Sequence, residues 1–107
     1  MNKESLTAKL LDLAEGRETP ETWQNWWDEH ETELEALLSR GEFLKLKPCR
    51  HGFQWVPVFG SQKGAIAILE KSGLAFEASN LYQERYLAEL DAFCKEQERV
   101  PVSYTHL

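Results

Sequence analysis

The stretch that most constrains this chain is Thr19-Pro20-Glu21-Thr22-Trp23-Gln24-Asn25-Trp26-Trp27-Asp28-Glu29-His30, where three of the four tryptophans fall within five residues. Thr19 can accept a hydrogen bond from the free N–H groups of a first helical turn, and Pro20 suits the first helical position, where its missing N–H costs nothing. Trp23, Trp26, Trp27, His30, Leu34, Leu37 and Leu38 then share one face, while Asp28, Glu29, Glu31, Glu33 and Glu35 occupy the other. With Gly41 as its stop, the segment reads as one helix of about 20 residues, roughly 30 Å long. Its aromatic face is expected to form the core, with Trp23 and Trp27 at the margins of the stripe. The acidic face is expected to be solvated.

Around that helix the chain offers two more. Leu6, Leu10 and Leu13 recur with helical period between Ser5 and Ala14, with Asn2 or Ser5 as cap and Gly16 as a left-handed stop. Tyr82, Tyr86, Leu90, Phe93 and Cys94 give a last stripe running to about Glu98, opened by Asn80 with Gln83 or by Ser79. Between them, Phe43-Leu44-Lys45-Leu46-Lys47 alternates apolar and basic residues and Phe53 to Phe59 is aromatic and β-branched. These two runs read as a β-hairpin over 43–59, with Pro57 forcing an edge or an irregular end. Ser61 to Ser72 is read as a helix capped by Ser61, in preference to a third strand, with Gly73-Leu74 as its stop. The expected fold is therefore α+β: a helix-dominated small single domain of three to four helices with a short β-hairpin.

That domain is expected to span 1–99. Val100 to Leu107 changes character abruptly and resembles translated adaptor or read-end sequence, so it is set apart as a non-native tail. The N-terminus carries an acid and no apolar run, which is not a signal peptide, and no segment approaches the ~18 apolar residues of a membrane span. Cys49 and Cys94 make no disulfide framework. A cytoplasmic location follows.

The net charge of −6 is unevenly spread. Residues 1–42 carry eleven acids against four bases, whereas Phe43 to Leu69 holds no acid and the four bases Lys45, Lys47, Arg50 and Lys63. Overall acidity argues against general nucleic-acid binding, which needs a basic surface. The basic island, interleaved with Phe53 and Trp55, keeps a local site open. It can bind single-stranded nucleic acid, protect a strand edge, or sit against the acidic helix face as part of the fold.

Catalytic chemistry finds little support. His30 on the tryptophan face is read as a side chain bonded to a backbone carbonyl. Cys49 and His51 form a Cys-x-His that, with His30 and Cys94, could hold zinc, but paired metal-ligand spacings are absent. Arg50 and His51 beside Cys49 would favour a thiolate, which sequence adjacency alone does not establish. No cofactor and no metal are expected. The expected function is a non-enzymatic interaction module of adaptor, regulator or toxin-neutralising type in a bacterial-type cytoplasm. Its contacts with another protein are placed at Lys45, Lys47, Arg50, Phe53 and Trp55, and a nucleic-acid accessory role at the same island is the alternative.

Overall fold

The computed structural model describes residues 2–50 and 52–99, and among them are five helices and no strand. They are α1 (Lys3–Ala14), α2 (Pro20–Leu37), α3 (Arg40–Leu46), α4 (Val56–Lys71) and α5 (Leu81–Arg99). The α+β expectation is therefore overturned: the segment read as a hairpin over 43–59 is a short helix, a loop and the first turn of a longer helix. The tail set apart at 100–107 and the expectation for His51 lie outside the described residues.

Local chemistry explains the correction. Ser39 accepts from the Glu42 N–H while the Glu42 carboxylate accepts from the Ser39 N–H, a reciprocal cap that starts α3. Once Glu42 begins a helix, the alternation of Phe43, Leu44 and Leu46 is one turn with two sides, and α2 stops at Leu37, before Gly41. Pro57 stands in the first turn of α4, where a missing N–H is harmless, so the residue read as a strand breaker is a helix starter.

Packing acts in the same direction. Gly64 lets the backbone of α3 approach so closely that a Cβ there would stand 2.8 Å from the Lys45 carbonyl oxygen. Three residues earlier, the buried Ser61 hydroxyl donates to the Leu46 carbonyl at 2.7 Å. Ser61 thus lies inside α4 instead of capping it, and the small face of α4 receives the end of α3.

Helices α1 and α3 both pack on α4, with α2 laid against α3 and α4. Leu10 and Leu13 of α1, Trp23, Trp27 and Leu34 of α2, and Val58 and Leu69 of α4 are among the side chains that fill the core. The start of α2 is as the sequence indicates, with Thr19 as cap and Pro20 in the first turn. Trp23 and Trp27 are buried, and the margin of the stripe falls at Trp26, which is half-buried between the Lys9 ammonium and the His30 ring. Gly16, at φ 81°, ends α1 as expected, and its lack of a side chain also admits Ser79, which would meet a Cβ at 2.8 Å.

Two buried polar groups join distant parts of the chain. The Gln62 amide donates to the carbonyls of Ala14 at 2.8 Å and Ser79 at 2.9 Å, tying the end of α1 to the approach of α5. The Tyr82 hydroxyl accepts the Glu18 N–H at 2.8 Å, while the Glu18 carboxylate meets Lys9 Nζ at 2.8 Å and accepts from the Thr22 hydroxyl. Burial pushes the Tyr82 phenol up to about 12.

Candidate functional site

A groove of about 760 Å³ lies between α2 and the segment that leaves α3. One bank is α2, with Gln24, Asp28 and Glu31. The other is Leu44 and Lys47, followed by Pro48, Cys49 and Arg50. Trp27 and Pro48, both buried, form its base.

Sequence dictates these banks. In α2 the groove residues Gln24, Trp27, Asp28 and Glu31 recur at helical spacing along one side of the buried stripe. The Trp27 indole N–H donates to the Glu31 carboxylate at 2.9 Å, and the Gln24 amide donates to Asp28 at 2.9 Å. Both carboxylates are thus oriented by donors one turn earlier on their own helix. Opposite them, Pro48 ends the helical run of α3 and turns Cys49 and Arg50 outward, where both are exposed. Lys47 lies beside the Phe43 ring, its ammonium 5.9 Å from the ring centre. Leu44, 57% exposed, stands on the rim and also borders a second hollow with Glu35 and Arg40.

The banks carry opposite charge, yet among the described residues no ion pair joins them. Each sign therefore remains available to a third body in the groove. Nearby, the reciprocal bonds with Ser39 hold the Glu42 carboxyl below its ordinary range, the bond from the backbone N–H being the main cause.

The five residues expected to meet a partner separate into two groups. Lys47 and Arg50 line the groove, whereas Lys45, exposed on α3, is not among its lining residues. Phe53 and Trp55 instead face α5. The Phe53 ring lies 5.9 Å from Tyr86 and 5.6 Å from Phe93, and Trp55 stacks on Tyr82 at 5.9 Å, with the Arg85 guanidinium also 5.9 Å from its ring centre. The backbone N–H groups of Gln54 and Trp55 both donate to the Glu89 carboxylate, at 2.8 and 2.7 Å. These two aromatic residues seat the last helix.

The groove residues not expected as partner contacts include Gln24, Trp27, Asp28, Glu31, Leu44 and Pro48. Their signal is positional: it emerges only once α3 is folded back on α2. His30 is half-buried and its Nδ1 lies 2.9 Å from the Trp26 carbonyl, so Nδ1 carries the proton and donates. Cys49 and Cys94 are free and exposed, and among the described residues no group of three His, Cys, Asp or Glu side chains could hold a metal ion. No described helix is long and apolar enough to cross a membrane. The chain matches no family model, no curated protein and no solved structure.

Proposed function

We propose that this protein is a non-enzymatic protein–protein interaction module, and that the groove between α2 and Lys47–Arg50 receives its partner. The supporting observation is the pair of oppositely charged banks that, among the described residues, leave each other unpaired across a concave surface. A polypeptide segment carrying basic side chains toward Asp28 and Glu31, acidic ones toward Lys47 and Arg50, and an apolar residue against Leu44 is complementary to it. Such paired charges select a partner and its orientation more than they add affinity. The exposed apolar rim supplies area to bury.

A phosphate chain suits the groove less well, because the acidic bank would repel it along its length. We place the module in the cytoplasm, a reading supported by two free exposed thiols, which a reducing compartment preserves.

Cys49 offers the test. A photo-crosslinker attached there, in a Cys94→Ser background, is expected to capture a polypeptide from the native host. Capture is expected to fall in both Asp28→Lys and Lys47→Glu, with helicity unchanged because both positions are exposed. Undiminished capture by the two charge-reversed variants would remove the groove from consideration, and nuclease-sensitive capture would favour the nucleic-acid role.

A further inference from the structure

The groove between α2 and α3 continues past the residues described so far. Leu44 and Lys47 also border a second hollow of about 370 Å³, which Glu35, Arg40 and Phe43 complete. Trp27 lines the first hollow and Phe43 the second, and their rings, with centres 5.1 Å apart, carry the floor from one to the other. The banks run in opposite chain directions. On α2 the order is Gln24, Asp28, Glu31 and Glu35, whereas the other bank starts near Arg50 and Lys47 and passes Leu44 to reach Arg40. Glu35 and Arg40 thus repeat what Asp28 and Lys47 establish: exposed charges of opposite sign on opposite banks, with no ion pair joining them among the described residues.

The spacing of these residues indicates the shape of what lies between them. The α2 bank advances in steps of four, three and four residues, and the bank from Arg40 through Leu44 to Lys47 in steps of four and three. Both are single helical stripes, and from Gln24 to Glu35 the groove is roughly 16 Å long, or about three turns. A third helix laid along it presents side chains with the same rise per turn, so its ridges stay in step with both banks. An extended peptide, by contrast, draws much of its affinity from main-chain bonds to a sheet edge, and among the described residues there is no strand to offer one. A helix satisfies its own main chain and needs only side chains to dock.

We infer that the occupant is an amphipathic α-helix of about three turns from a partner protein, with an apolar seam on Leu44, a basic edge along Asp28, Glu31 and Glu35, and an acidic edge along Arg40 and Lys47. This rests on the reading of the groove as a polypeptide site and adds the conformation and charge pattern of the polypeptide. A helix whose two edges share one sign is rejected, because one bank repels it whichever way it lies.

A synthetic peptide of about 14 residues tests this, stapled as a helix on its outer side and carrying leucines at steps of three and four between a lysine edge and a glutamate edge. It is expected to bind the full 107-residue chain in fluorescence anisotropy. Glu35→Lys and Arg40→Glu should each weaken binding several-fold with helicity retained, since both positions are exposed. An unstapled peptide of the same composition with a central proline should bind at least about tenfold more weakly. Equal binding of the proline peptide, or binding indifferent to both substitutions, would overturn the helix. If the stapled peptide failed to bind while the Cys49 crosslinker still captured a host segment in a manner dependent on Asp28 and Lys47, the groove would stand and the helix would fall. Failure to bind together with capture indifferent to Asp28 and Lys47 would remove both. Capture of a second copy of this chain would overturn the separate partner.

Discussion

Helices α4 and α5 are similar in length but differ in how the fold holds them. Helix α4 buries Val58, Ser61, Gln62, Gly64, Ala65 and Leu69, and meets each of the other four helices. Helix α5 buries Tyr82 and leaves Leu87 and Phe93 about half exposed. The amphipathic pattern of α5 is much the clearer of the two in the sequence, since its charged residues outline a stripe. Helix α4 has little pattern because apolar and small residues surround it. Clear amphipathicity marks a helix at a surface, whereas its loss marks one that is covered on several sides.

Substitutions should separate the two helices, beginning with the largest effect. Leu69→Ala in α4 removes a side chain 1% exposed and should cost about 2–5 kcal/mol in chemical denaturation. Gly64→Ala comes next. Alanine in a helix ordinarily stabilises relative to glycine, but here its Cβ would meet backbone atoms of Lys45 at 2.8 and 3.0 Å. The expected outcome is a loss of about 1–3 kcal/mol, with the helix content of α3 falling as well. A gain in stability would show that α3 shifts away freely.

At the seat of α5, the effect is a pH dependence. The folded chain keeps the Tyr82 proton up to about pH 12, whereas the unfolded chain releases it near 10.0. The unfolded state therefore binds fewer protons across that interval, and stability falls as pH rises through it, while below pH 10.0 this contribution is fully present. Denaturation midpoints measured on the alkaline side should fall less steeply for Tyr82→Phe. Equal slopes would show that Tyr82 ionises without loss of its seat.

Smaller is Glu89→Ala, which removes the acceptor of two backbone N–H groups and should cost about 1 kcal/mol, as loss of a helix cap does. Leu87→Ala on the same helix should stay within about 0.5 kcal/mol, because Leu87 is 49% exposed. If Leu87→Ala proved the more damaging, α5 would be packed in a way that the comparison with α4 denies.

What the sequence reveals follows the same division. The beginning of α2, the stripe of α1 and most of α5 are legible because caps, periodicity and polar faces agree there. Residues 43–59 are not, since a few apolar residues in a row satisfy a strand or a helical turn equally well. Two local signals favour the helices: Ser39 followed three residues later by Glu42, and Pro57 just ahead of Val58, Phe59 and the run to Leu69. The β-branched and aromatic residues of the same stretch pull toward a strand and outweigh them. For the groove, Lys47 and Arg50 stand out as charges in a segment without acids. Their opposition to Asp28 and Glu31 requires the fold-back of α3, and the inward role of Phe53 and Trp55 requires α5 to be in place.

The Gln62 amide, with its bonds to Ala14 and Ser79, also bears on the order in which the chain assembles. Its two acceptors lie 48 and 17 residues away in opposite directions along the chain. Both bonds are made together only when α1, α4 and the approach to α5 have all reached their places. Gln62→Leu is therefore expected to raise the unfolding rate more than it lowers the folding rate, as folding and unfolding kinetics would show. Its influence falls on how long the native state persists, a property that neither the core nor the groove describes.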